Sequence, residues 1–192
     1  MTVALVLLTA YLLGSIPTSY LVVYRFTGRD IRTLGNRNPG TMNVWDSVGL
    51  RAAMIVAIGD ISKGMAAVGI AYLAGVDDRT AVLAALTAVA GHDFSIFLRL
   101  HGGNGTAAAV GGMLALVPTA ALPSAGAALA LFTIVRSRRI AGVIGMLMVP
   151  ILAYWQGLPE MRLIGVILLL TVTALKIVKF EGFSPARSRP PR

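Results

Sequence analysis

The sequence predicts an all-α integral membrane protein of seven transmembrane helices, with its N-terminus outside and its C-terminus in the cytoplasm. Three observations predict it. Of 192 residues, 56% are hydrophobic and only 13% charged, whereas soluble domains average about 25% charged. The apolar residues fall into runs that match a hydrocarbon core about 30 Å thick, which takes roughly 20 helical residues. Basic residues collect in alternate connections between those runs, as the positive-inside rule requires.

The runs place helices at 3–25, 52–75, 79–99, 105–118, 121–136, 140–156 and 162–180. The first is apolar up to Arg25 and lacks the basic start of a cleaved signal peptide, so it is expected to stay. The second carries a polar interruption at Asp60 to Lys63. The fourth and fifth are Ala-rich and broken by Gly111, Gly112, Pro118 and Pro123, so they form either two short helices or one broken one, with six spans as the alternative count. Charge tests the count independently. Arg25, Arg29, Arg32, Arg37 and Arg51 mark the first connection; the second has Asp77, Asp78 and Arg79; the third has Arg99; the fourth has no charge; the fifth has Arg136, Arg138 and Arg139; the sixth has Glu160 and Arg162. The tail carries Lys176, Lys179, Arg187, Arg189 and Arg192. Seven spans preserve the alternation and six would break it.

No polar linker divides the chain, so residues 1–183 read as one membrane domain and 184–192 as a disordered basic tail near anionic headgroups. The net charge of +9, from 17 Lys and Arg against 8 Asp and Glu, is scattered over short connections. It has neither the basic arm nor the aromatic platform that nucleic acid binding needs. Anionic lipid or a phosphorylated substrate is the expected partner. The absence of cysteine excludes disulfides, thiolate catalysis and iron–sulfur clusters, and with two histidines neither a metal nor any other cofactor is expected.

Polar chemistry gathers in three places. The first connection, Gly28 to Asn43, is longer than a plain loop. Its glycines at 28, 35 and 40 permit close backbone approach, and Asn36, Asn38 and Asn43 supply amide donors and acceptors. Such a loop either forms an anion-binding nest or merely satisfies its own backbone. The second cluster is Asp60 and Lys63, three apart on one helical face, where they can pair; it is a functional-site candidate or a structural pair locking neighbouring helices. The third runs from Gly91-His92-Asp93-Phe94 through His101 to Gly102-Gly103-Asn104-Gly105-Thr106. Its glycine turn opens a helix and offers unpaired N–H groups to an anion. His92 is either a base near neutral pH or a packing residue. The first and third clusters lie on one side of the membrane, so the two glycine-rich bends are expected to meet at the inner headgroup level.

The order of motifs resembles a known family. Gly14-Ser-Ile-Pro17, Asp30-Ile-Arg32, Gly35, Asn38, Gly40, Asn43-Val44, Gly59-Asp60, Lys63-Gly64, Gly91-His92, Phe94, Phe97, Gly102-Gly103 and Gly105 are similar to the bacterial acyl-phosphate-dependent glycerol-3-phosphate acyltransferases. The likeness covers roughly 14 to 112. It implies a seven-helix inner-membrane enzyme that transfers a fatty acyl group from acyl phosphate to glycerol 3-phosphate, giving lysophosphatidate without metal or acyl-CoA, as a monomer in membrane lipid.

The chain departs from the family at identifiable positions. Asn36 replaces a serine, Asp46 a basic residue and Asn104 the lysine of a Gly-Gly-Lys-Gly turn; no hydroxyl follows Arg138-Arg139, and 172–182 lacks the family's His and Asn. The expected site therefore comprises Asn38, Asn43 and His92 as catalytic groups. Phosphate would be held by Arg32, Gly35, Asn36, Arg37, Gly40, Thr41, Gly102, Gly103, Asn104, Gly105 and Thr106, braced by Asp60 and Lys63. The rival reading is a relative that binds acyl phosphate or lipid without turnover, or uses another acceptor. A solute transporter fits less well, because no repeat is evident and the polar clusters gather toward one face.

Overall fold

The computed structural model describes residues 2–182, and the expected tail at 184–192 lies outside the described residues. The described residues form an all-helical bundle: α1 (Val3–Ser15), α2 (Thr18–Thr27), α3 (Thr41–Ser47), α4 (Leu50–Leu73), α5 (Asp78–Asp93), α6 (Thr106–Leu116), α7 (Pro118–Val135), α8 (Arg138–Trp155) and α9 (Glu160–Gly182). Single 3-10 turns occur at Ile31–Thr33 and Ile96–Leu98. Among the described residues, six segments are long and apolar enough to cross a membrane: Val3–Thr27, Leu50–Leu73, Asp78–Leu98, Pro118–Val135, Arg138–Trp155 and Glu160–Lys179. The expected fourth span is an apolar helix of only 11 residues, Thr106–Leu116, about 16 Å at 1.5 Å per residue, and is too short to count among the six.

Three deviations from the expected helices have physical causes. The first span is broken at Ile16 and Pro17, because proline has no N–H to donate and pushes the preceding residue out of the helical region; Ile16 has φ −54° and ψ 119°. The third span ends at Asp93 rather than continuing to 99, and the chain from Phe94 to Gly105 is irregular apart from one turn. A short helix, α3, forms inside the first connection, directly after the extended Gly40. The break between α6 and α7 falls at Val117, with Pro118 at the first position of α7, where its missing N–H costs nothing. Pro123 stays within α7.

The core is built from small residues. Ala67, Ala71, Ala84, Ala85, Ala88, Ala108 and Ala109 are buried with Val6, Val68, Val89, Met113, Leu116 and Leu169. Helices approach closely where glycine removes the side chain, as at membrane interfaces generally. A Cβ on Gly14 would overlap the Ala88 carbonyl, and one on Gly91 the Tyr11 carbonyl, which fixes α1 against α5. Gly64 and Gly111 do the same for α4 and α6, against Ala108 and Ile61. A second cluster of Val23, Ile31, Val44, Ala52, Ala53 and Val56 pins the first connection to α2 and α4.

Polar contacts identify the two ends of the bundle. Tyr72 and Arg162 both reach Asp78 at 3.0 Å, and Thr119 bonds Gln156 at 2.8 Å, so the ends of α4, α6 and α8 share one side with the starts of α5, α7 and α9. Arg138 pairs with Asp46 at 2.8 Å at the opposite side, and its guanidinium lies 4.5 Å from the centre of the Trp45 ring.

Candidate active site

Three interrupted helices converge beside the middle of α4. The break after α1 leaves carbonyls without intrahelical donors, and in an apolar bundle these must be satisfied from elsewhere. Lys63 donates to Ile16 O at 3.0 Å and Ser95 to Ser15 O at 2.5 Å. Lys63 also pairs with Asp60 at 2.8 Å, both side chains being almost completely buried. The end of α5 is closed by the glycine turn: Gly102 N–H donates to Asp93 O at 3.1 Å and Gly103 N–H to His92 O at 3.2 Å. The start of α6 follows from Gly105, whose φ of 67° suits glycine.

The two glycine-rich bends meet at this point. A Cβ on Gly103 would overlap His92 Nε2 and lie 2.9 Å from the Pro39 carbonyl oxygen. That same oxygen accepts a hydrogen bond from Ser19 at 2.9 Å. His92 Nδ1 stands 3.7 Å from Asp60 Oδ1, so the ring lies between the α4 ion pair and the glycine turn. The junction encloses about 10 Å³ among Ser15, Ser19, Pro39, Lys63, His92 and Gly103, about the space of one water. Through Ile16, Pro17 and Leu98 it adjoins an open groove of about 450 Å³, lined also by Tyr20, Leu21, Arg32 and Phe97. The junction lies beside the midpoint of the 24-residue α4. The half-length α1 and α6 bring their ends to this level of the bundle.

The expected site residues divide by what their polar atoms already do. Asn43 is buried and fully engaged. Its amide nitrogen donates to Leu34 O and Asn38 O at 3.0 Å, and its oxygen accepts from Asn36 N–H at 3.1 Å and Ser47 at 3.2 Å. In this arrangement all of its hydrogen-bonding capacity, expected for catalysis, is used to shape the loop. Asn36 is exposed, with its side-chain oxygen capping Asn38 N–H at 3.0 Å. Arg32, expected to hold phosphate, is instead clasped by Asp30 at 2.7 Å, donates to Leu98 O at 3.4 Å and lies over Tyr20. The hydrogen bonds from Arg32 hold the Asp30 carboxyl below the usual carboxylate range, and the pairing raises Arg32 in turn. The amides of Gly102 and Gly103, expected to hold an anion, are engaged by the end of α5.

Other residues retain unused groups. Asn38 Oδ1, Thr41 Oγ1 and Asn104 Oδ1 are buried without a hydrogen-bond partner among the described residues. Thr106 opens α6, whose first-turn N–H groups have no intrahelical acceptor. Arg37 is exposed with φ 66°. Gly35 has φ 51° and lies against Asn43, and a Cβ on Gly40 would stand 3.0 Å from the Asn38 amide nitrogen. Among the described residues no cluster of acidic and histidine side chains suits a metal. Ser15, Ser19, Ser95 and Pro39 were not legible as site residues; the one sequence signal was a proline flanked by serines inside an apolar helix.

A sequence profile of the family described as glycerol-3-phosphate acyltransferase matches residues 4–182. The chain belongs to that family. It is 36% identical over 178 residues to "Glycerol-3-phosphate acyltransferase 1" of Dehalococcoides mccartyi, covering 90% of this chain and 86% of that protein. It is 40% identical over 153 residues to "Glycerol-3-phosphate acyltransferase" of Dechloromonas aromatica, covering 80% and 77%. Its fold matches the crystal structure of PlsY (YgiH), an integral membrane glycerol 3-phosphate acyltransferase, in the glycerol 3-phosphate form. The TM-score is 0.84 at 26% identity, over 95% of this chain and 91% of that one. The lysophosphatidic acid form of PlsY matches in fold with a TM-score of 0.82 at 24% identity.

Proposed function

We propose that this protein transfers a fatty acyl group from acyl phosphate to glycerol 3-phosphate, giving lysophosphatidate for phospholipid synthesis in a bacterial inner membrane. The observation that carries the proposal is the junction itself. Gly103, Pro39 and His92 bring two polar loops together beside an apolar groove, within a family whose members carry the acyltransferase name. The groove takes the acyl chain, and its shared wall of Ile16, Pro17 and Leu98 leads the reacting carbon toward the junction.

Acyl phosphate is already an activated mixed anhydride, so positioning and stabilisation of developing negative charge can supply most of the acceleration. The acceptor hydroxyl attacks the acyl carbon. The bond to the phosphate oxygen breaks with its electron pair, and the hydroxyl proton passes to His92 Nε2 or to the departing phosphate. Asn38, Thr41 and Asn104 offer unpartnered oxygens to substrate hydroxyls, while the α6 N-terminus and Arg37 face anionic oxygens. Gly35, Asn36, Gly40, Asn43, Gly102, Gly103 and Gly105 shape the two bends. Asp60, Lys63 and Arg32 brace them.

In this reading α6 counts as a seventh, half-length span, with the N-terminus outside and the C-terminus cytoplasmic, because the Arg-bearing connections then share the cytoplasmic side. The protein acts as a monomer. Purified protein given palmitoyl phosphate and glycerol 3-phosphate should form lysophosphatidate, and none formed by folded protein would sink the assignment. Binding without turnover is favoured by one observation, the absence of His and Asn from 172–182; it predicts donor binding that glycerol 3-phosphate does not alter.

A further inference from the structure

Lys176, on α9, is half-buried, and its ammonium donates to the main-chain carbonyl of Asp93 at 3.3 Å. It also rests 4.2 Å from the centre of the Phe94 ring. The same carbonyl accepts the Gly102 N–H at 3.1 Å, so the ammonium stands one hydrogen bond away from the glycine turn. Other cations around the junction are already paired, Lys63 with Asp60 and Arg32 with Asp30. Lys176 makes no salt bridge within 4.0 Å among the described residues: the Asp93 carboxyl lies close enough to interact with it through space, but its Oδ1 sits against Gly105, buried without a hydrogen-bond partner. A partly desolvated ammonium with one long bond to a neutral acceptor is poorly compensated, and an anion would complete it. The turn beside it, Gly102-Gly103-Asn104-Gly105, contains no cation of its own.

We propose that Lys176 is a substrate-binding residue, an ammonium that pairs with the phosphate group of a phosphorylated substrate held at the turn from Gly102 to Thr106. This rests on the acyltransferase reading above and adds to it a cation supplied by the last helix. Its four-carbon stem lets the ammonium swing from the Asp93 carbonyl to a phosphate oxygen without moving α9.

The test uses the full chain in detergent micelles. Palmitoyl phosphonate, an unreactive analogue of acyl phosphate, and glycerol 3-phosphate are titrated separately by calorimetry, so the two arms show which phosphate the ammonium serves. Lys176→Gln keeps a donor for the Asp93 carbonyl and removes the charge. A charge-assisted contact is worth about 1.5–3 kcal/mol, so affinity in one arm should fall at least about tenfold, with a matching rise in that substrate's KM. Lys176→Arg should stay within about threefold of wild type, and Asn104→Lys should restore the affinity of Lys176→Gln. Lys176→Leu serves in its place if Lys176→Gln does not fold. Unchanged affinity in both arms, or a loss that Asn104→Lys does not repair, overturns the proposal. Wild type that binds the phosphonate yet forms no lysophosphatidate sinks the acyltransferase reading instead, while the binding arms still decide the role of Lys176.

Discussion

Adding one methyl group at Gly103 tests whether the junction of the two loops is the working site. The new Cβ in Gly103→Ala would overlap His92 Nε2 and approach the Pro39 oxygen to 2.9 Å. Neither neighbour yields readily. The imidazole is 8% exposed with Asp60 behind it at 3.7 Å, and the Pro39 oxygen is tied to Ser19. The loops must therefore separate by several tenths of an ångström. Overpacking of this kind costs about 1–3 kcal/mol. If that strain falls on the closed arrangement needed for reaction, kcat/KM drops about 5- to 150-fold. The assay is lysophosphatidate formation from palmitoyl phosphate and glycerol 3-phosphate, run beside thermal unfolding. Gly69→Ala is the control: it lies within α4 with nothing inside 4 Å of a built Cβ, so it should leave turnover unchanged and stabilise by up to about 1 kcal/mol. Wild-type turnover and melting in Gly103→Ala would refute the placement of the site.

Lys63→Met leaves Asp60, 1% exposed, as an unpaired buried carboxylate; a loss of about 3–5 kcal/mol is expected, with Asp60→Asn in the same chain recovering part of it in denaturant melts. Asn43→Ala removes a side chain making four hydrogen bonds, two given and two received, and should lower both activity and melting temperature, with proteolysis showing cleavage between 34 and 43 as the loop loosens. Asp46→Asn should cost less than about 1 kcal/mol, because the pair with Arg138 is 61% exposed on the aspartate side. Acid should loosen the Asp30–Arg32 clasp: the Asp30 carboxyl titrates below its ordinary value of 3.8 in the folded chain. Its stabilisation is therefore complete above that value and lost as pH falls through the lower folded pKa. In Asp30→Asn that acid limb of the stability curve should vanish.

The helices at 52–75, 140–156 and 162–180 were legible because apolar length alone defines a span, and the structure moves their ends by only one or two residues. The half-helices were not. A hydropathy reading sees 3–25 as continuous, and only the hydrogen bond from buried Lys63 to the Ile16 carbonyl shows how the break at Pro17 is closed. Asp93 ends α5 for a reason equally invisible in sequence, namely that its carbonyl and that of His92 turn to meet the Gly102 and Gly103 amides. Those bonds remove the donors that a glycine-rich turn advertises to a sequence reader.

The same physics explains why composition cannot sort the polar residues here into structural and chemical roles. Interrupting three helices inside an apolar bundle exposes carbonyls and amides that have no water to turn to, and Lys63, Ser95, Gly102 and Gly103 answer them. Lys63, Gly102 and Gly103 are site candidates on paper and Ser95 is not, yet all four are engaged in closing the fold. What remains for substrate in the proposed reading is the residue of that accounting: Asn38, Thr41 and Asn104 with unpartnered oxygens, the first-turn amides of α6, and an ammonium from α9 held by one long bond to a carbonyl. Breaking the helices therefore creates the site twice over, by opening a polar junction in the middle of the bundle and by consuming most of the groups that fill it. Substrate specificity then rests on the few that are left.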